Sequence, residues 1–256
     1  MTPHSRALEG RRGLILGLAN EHSIAWHCAR LAVASGAELV ATCLNDKARK
    51  WVEPLTRPAG IDLVNCDVEQ PGSLEALVEH AAGAKGLDFV IHSIAWAPLQ
   101  DLQGRVVDSS GEGFTRAMAV SCHSFARLAR LCEPHLRHGG TLIAMSYLGA
   151  VETVPQYGLM GPVKAALESL VRYMAVELGS RDIRVHAVSP GPIATRAASG
   201  IPGFDALLED NRRKVPLGRL ATAEEVAALC VFLCSDGATG MTGQTLYVDA
   251  GYHILA

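Results

Sequence analysis

The 256-residue sequence has no long apolar run, no surplus of positive charge, no linker and no internal repeat, and each absence removes a class of protein. No stretch approaches the ~20 apolar residues that a membrane-spanning helix needs. A formal charge of -3 offers no basic field for nucleic acid. Short clusters such as Arg212-Arg213-Lys214 read as solvated faces. Met1 to Arg12 is polar and lacks the apolar core of a signal peptide, so the expected location is the cytoplasm. Seven cysteines, an odd number, lie inside apolar segments, as buried thiols in a reducing compartment do. Cys230 and Cys234 stand one helical turn apart, but no further Cys or His has ligand spacing, and no metal site is expected.

What is present is an alternation of short apolar runs with longer amphipathic stretches from Gly13 to Gly251. It reads as one α/β domain over residues 1–256, doubly wound in the Rossmann manner, with a parallel sheet. Strands are expected at 13–17, 37–43, 61–68, 87–95, 140–146, 183–189 and 244–251, and a continuous helix from about Glu112 to His138. In that helix Phe114, Met118, Val120, Phe125, Leu128 and Leu131 recur at helical spacing and are expected to be core. Strand C-termini of such a sheet line the ligand crevice.

The first strand enters Gly17 and is followed by Ser23-Ile24-Ala25 and a helix. This is not G-x-G-x-x-G, yet its physics suits a phosphate: a glycine for close approach, a hydroxyl, and the amides of a helix start. Asp67-Val68 after the third strand, and Ser93-Ile94-Ala95 after the fourth, would converge on the same nucleotide. Asp67 has a second reading, as a local cap with Ser73. Leu44 after the second strand carries neither a carboxylate for a 2'-hydroxyl nor a guanidinium for a 2'-phosphate, and Lys47 and Arg49 lie just beyond it. NADH is the expected cofactor, with NADPH as the alternative.

The strand ending at Ser146 delivers Tyr147, and Tyr157 and Lys164 follow, seven residues apart. If both lie on one helix they share nearly one face with a rise of about 10 Å, a gap a ligand can fill. Pro162 fits only if the regular helix begins close before it, where its missing N–H is harmless. Pro190-Gly191-Pro192-Ile193 then leads into a stretch over about 194–215 with small residues and an apolar face, suited to a lid.

With these motifs assembled, the chain resembles the short-chain dehydrogenase/reductases, and within them it is similar to the bacterial enoyl-acyl carrier protein reductases. The resemblance rests on Gly17-x5-Ser23-Ile24-Ala25, Cys66-Asp67-Val68, His92-Ser93-Ile94-Ala95, Tyr157-x6-Lys164 and Gly191-Pro192-Ile193-x-Thr195-x-Ala197-Ala198-Ser199-Gly200-Ile201. Carbonyl-reducing relatives place a Tyr four residues before the Lys and a Ser thirteen before that Tyr; here Met160 and Tyr147 stand there. The resemblance therefore implies reduction of a trans-2-enoyl thioester, a step of fatty acid synthesis. Tyr157 would be the enolate donor, Lys164 the ribose ligand and Tyr147 a second phenol. It further implies Ile193 and Thr195 on the cofactor, and Ala97, Met160, Ala197, Ala198, Ile201 and Phe204 with both tyrosines around the acyl chain. A homotetramer acting on acyl carrier protein is implied too. Pro202, Asp205 and Ala206 occupy lid positions where relatives carry Lys or Arg, so the carrier would meet Arg212, Arg213 and Lys214, or the substrate rides on coenzyme A or a specialised carrier. His27 replaces a usual Gly, and His186 and Pro190 replace a usual Asn and Ala. A reductase of other activated alkenes or carbonyls, and a cofactor-binding paralogue without catalysis, are the rival readings.

Overall fold

A computed structural model describes residues 6–193 and 204–255. Seven strands form one all-parallel sheet: β1 (Arg12–Leu16), β2 (Glu38–Cys43), β3 (Asp62–Asn65), β4 (Leu87–His92), β5 (Leu136–Met145), β6 (Arg184–Pro190) and β7 (Thr245–Val248). Their order, β3-β2-β1-β4-β5-β6-β7, reverses direction between β1 and β4. The crevice beyond the carboxyl ends of those two strands is the switch point where such sheets bind ligands.

Helices cover both faces because the strands bury side chains on both sides. One core layer joins Leu14, Leu16, Val90, Leu142 and Val185 to α3 (Ser73–Ala82), α6 (Ser124–Cys132) and α7 (Met160–Leu178). The other joins Ile15, Ala41, Ile91, Ile143 and Val188 to α1 (Ile24–Ala34) and α9 (Ala223–Cys234). Strand periodicity explains the division, since alternate residues of β1 enter opposite layers. α2 (Asp46–Thr56) starts at Asn45, whose side chain accepts from the Ala48 amide, and α9 starts in a Thr222/Glu225 capping box. No helix among the described residues is long and apolar enough to cross a membrane.

The expected helix 112–138 is in fact broken. α4 (Leu99–Gln103) precedes it, α5 runs Gly111–Met118, a π turn spans Ala119–His123, and α6 ends at Cys132. A 3-10 turn over Glu133–His135, with Pro134 inside, hands the chain to β5 at Leu136, four residues before the expected strand start. The pattern over-reached because buried residues continue on both sides of the π turn, Ala117 before it and Phe125 and Leu128 after it, and the extra residue between them leaves no clear local mark. Val120, Phe125 and Leu128 are core as expected, whereas Phe114 is 39% exposed.

Candidate active site

The carboxyl ends of β1 to β5 carry most of the residues singled out by the sequence. Gly17 follows β1 with φ +99, and a Cβ there would stand 2.2 Å from the Ser93 carbonyl, so only glycine lets the loops after β1 and β4 touch. Ser23 is the N-cap of α1 but makes no side-chain cap bond. Its hydroxyl donates to the Asn20 carbonyl at 2.6 Å and accepts from the Ala19 amide at 3.4 Å, bracing the turn. The first amides of α1, with Ile24 half-buried at its start, remain open to an anion, and no acidic residue occupies the first turn. That end of the helix fits a dinucleotide phosphate.

At the neighbouring strand ends, Leu44 is 55% exposed and offers a flat apolar surface. Arg49, a potential 2'-phosphate ligand, is turned away: it donates to the Leu63 carbonyl at 2.7 Å, to Asn65 Oδ1 at 3.1 Å and to Glu53 at 3.3 Å. Asp67 takes its local reading as well, since Oδ1 accepts from the Glu69 amide and the Ser73 hydroxyl accepts from the Asp67 amide. Val68 is buried, Ser93, Ile94 and Ala97 are half-buried and Ala95 is exposed.

The loop after β4 is pinned by a residue that no motif or spacing marks. Ser121, in the π turn, is fully buried; it accepts from the Trp96 amide and donates to the Trp96 carbonyl, both at 2.8 Å. The Trp96 ring carries the Arg116 guanidinium at 4.2 Å, and Arg116 in turn holds Glu69 through two bonds.

Tyr147 and Tyr157 meet, ring centroids 4.7 Å apart and tilted 56°. They arrive differently from expectation. Tyr157 is not on the helix: Gln156 and Gly158 have φ of 61 and 48, and α7 begins only at Met160. The tyrosine projects from a strained turn, with Lys164 one turn into α7. Pro162 is the third helical residue, where an amide has no intrahelical acceptor, so it sits without penalty as required. Gly149 makes the ring contact possible, because a Cβ there would lie 2.4 Å from Tyr157 Cδ1.

Burial pushes the Tyr147 phenol up to about 12, with a further contribution from the Tyr252 phenol of the C-terminal turn, and raises Tyr157 well beyond the usual phenol range. Both are proton donors at neutral pH. Lys164 is 3% exposed, donates to the Met145 carbonyl at 2.6 Å, and burial pulls it down to about 8. His92 is buried, its Nε2 2.7 Å from Ser124 Oγ. The Ser124 hydroxyl donates to the Val120 carbonyl, so Nε2–H is the donor to Ser124 and the imidazole is neutral; burial and Lys164 together take it down to about 3. Met160 is 5% exposed and packed in the core.

Ile193 is half-buried at the edge of the crevice. Thr195, Ala197, Ala198 and Ile201 lie outside the described residues. Phe204 opens α8 (Phe204–Lys214), whose last turn carries Arg212, Arg213 and Lys214. His27 faces α9, its Nδ1 3.0 Å from a Glu224 carboxylate oxygen. His186 is fully buried in β6, and burial and Arg184 pull it down to about 4.

The sequence profile of the family described as Enoyl-(Acyl carrier protein) reductase matches residues 17–253. Enoyl-(acyl-carrier-protein) reductase (NADH) 2 of Rhizobium meliloti is 42% identical over 249 residues, which cover 96% of this chain and 93% of the relative. The crystal structure of the reductase from Anaplasma phagocytophilum in complex with NAD superposes with a TM-score of 0.94 at 40% identity, covering 98% of this chain and 97% of that one. The Bacillus cereus enoyl-acyl carrier protein reductase, solved with NADP+ and indole naphthyridinone, superposes with a TM-score of 0.95 at 37% identity, covering 98% and 99%.

Proposed function

Because the chain belongs to the enoyl-(acyl carrier protein) reductase family, we propose that it uses NADH to reduce the carbon–carbon double bond of a trans-2-enoyl thioester in fatty acid synthesis. The observation that carries this reading is Met160. It stands, buried, where carbonyl-reducing relatives present a tyrosine, while the phenols come from Tyr157 and Tyr147. An alkene conjugated to a thioester needs a donor at its carbonyl oxygen, not at the carbon that accepts hydride. NADH supplies the hydride.

The chain's own residues do the rest. The open amides of α1, with Gly17 behind them, hold the pyrophosphate. Leu44, Asp67 and Val68 flank the adenosine half, and Ser93, Ile94, Ala95, Ile193 and Thr195 the nicotinamide half. Arg49, engaged with β3, leaves the 2' position without a guanidinium, which favours NADH over NADPH. Lys164 keeps its ammonium for the ribose. Tyr157, protonated, donates to the thioester oxygen as negative charge gathers there. Tyr147 buttresses that ring. Ala97 and the lid residues Ala197, Ala198, Ile201 and Phe204 enclose the acyl chain, and Met160, expected beside them, belongs to the core.

The same reading makes the protein a cytoplasmic homotetramer, its lid spanning about 194–215 within one domain. All seven cysteines are free and buried, which suits a reducing compartment. On the outer face of α7, Tyr173 is 69% and Val176 83% exposed, an apolar surface that a second copy would cover. The substrate's carrier is acyl carrier protein. Its docking through α8 is weakly charged, since Arg213 and Lys214 already pair with Glu209 and Asp210, leaving Arg212 to dominate. Reduction with NADH deuterated at the transferring position tests the chemistry. The reading predicts one deuterium at the β-carbon of a saturated acyl thioester; deuterium on a carbinol carbon would overturn it.

A further inference from the structure

Glu168 is a buried carboxylate beside the reaction centre that has no part in the chemistry above. It lies on α7 four residues after Lys164, and the two side chains grip consecutive residues at the end of β5. Lys164 Nζ donates to the Met145 carbonyl at 2.6 Å, and Ser146 Oγ donates to Glu168 Oε1 at 2.5 Å. Tyr147 follows directly. Lys164 is 3% and Glu168 5% exposed, so the pair is shielded from solvent.

We propose that Glu168 is a positioning residue for the reduction: as a carboxylate it keeps Lys164 protonated for the ribose, and through Ser146 it fixes the strand end that presents Tyr147. This rests on the reading of Lys164 as the ribose-binding cation. Lys164 is faced by Glu168 on its own helix, by Cys122 from the π turn and by His92 from β4. Burial keeps the Cys122 thiol protonated and the His92 ring neutral, so neither supplies a compensating charge near neutral pH. Glu168 is faced by Ser146 from β5, Arg172 from α7, and Thr245 and Tyr247 from β7. Burial raises its carboxyl, while Ser146, Arg172, Thr245 and Lys164 all favour the ionised form. Lys164 and Glu168 stand one helical turn apart with no direct ion pair between them, so the carboxylate acts on the ammonium through the buried interior.

The test is NADH affinity, followed by fluorescence titration between about pH 6 and about pH 10. Wild-type affinity is expected to fall above pH about 8, as Lys164 loses its proton. Glu168→Gln keeps the shape and an acceptor for Ser146 but removes the charge. It should move that fall down by about 1 pH unit, leaving NADH binding roughly tenfold weaker between the two limbs. A limb at the wild-type position would overturn the proposal. Should Glu168→Gln not fold, Ser146→Ala takes its place: weakening the ionised carboxylate must shift the limb in the same direction by a smaller step, and no shift overturns the role. Enoyl-thioester turnover by the wild type is scored separately. A protein that shows the shift but reduces no enoyl thioester loses the proposed reaction and retains the Glu168 role.

Discussion

The ring of Tyr157 rests against that of Tyr147 at 4.7 Å, although one comes from a turn before α7 and the other from the end of β5. Neither phenol ionises near neutral pH, and the proposed reaction gives them different parts, with Tyr157 as the donor and Tyr147 as its support. Tyr157→Phe should lower kcat/KM for an enoyl thioester by about 100-fold to 1,000-fold, the effect of removing one donor to a developing oxyanion. NADH affinity should be unchanged. Tyr147→Phe, which retains the ring contact, should lose about tenfold or less, and steady-state kinetics on the two variants separates the roles.

Gly149 is the space that the Tyr157 ring occupies. Gly149→Ala would place a methyl 2.4 Å from Cδ1. The ring must move, so kcat should fall while NADH binding persists, and unfolding in denaturant should show a loss of about 1–3 kcal/mol.

Cofactor choice turns on the end of β2. Leu44 is exposed there, and Arg49 is held by Leu63, Asn65 and Glu53. Leu44→Arg introduces a guanidinium where a 2'-phosphate would lie. It should raise kcat/KM with NADPH relative to NADH by about tenfold, the value of a charge-assisted hydrogen bond.

His186 makes folding acid-sensitive. Its folded value of about 4 lies below the ordinary histidine value, so between pH about 4 and about 6.5 the unfolded chain binds the proton that the folded chain refuses. Stability is therefore retained above that window and lost as pH falls through it, by about 1.4 kcal/mol per pH unit from this group. His186→Asn should lessen the decline between pH about 7 and about 5 by about 2 kcal/mol, measured by urea unfolding at each pH. His92, lower still at about 3, keeps part of the acid dependence in that variant.

Strands and crevice were legible because alternating burial and the glycine, aspartate and small-residue strand ends are local signals. All seven strands occur within a few residues of expectation. The pairing of Tyr157 with Lys164 was visible as a spacing, but its geometry was misjudged. Seven residues look like two helical turns until the left-handed backbone at Gln156 and Gly158 takes Tyr157 off the helix. The π turn at 119–123 was invisible because apolar residues continue on either side of it, and Ser121 was hidden with it. Glu168 was hidden differently. A lone Glu on a helix reads as solvated, and only the strand arriving from β5 shows that it is buried against Ser146. Asp67 makes the local bonds that its spacing to Ser73 allows, whereas the bonds of Ser23 to Ala19 and Asn20 at the start of α1 have no signal in the spacing.

One measurement tests the reaction most directly: NADH oxidation with a trans-2-enoyl thioester and with the 3-keto thioester of the same chain length. With Met160 in the core and the phenol delivered from Tyr157, the enoyl thioester should be reduced and the ketone left untouched. Reduction of the ketone with no turnover of the enoyl thioester would contradict it.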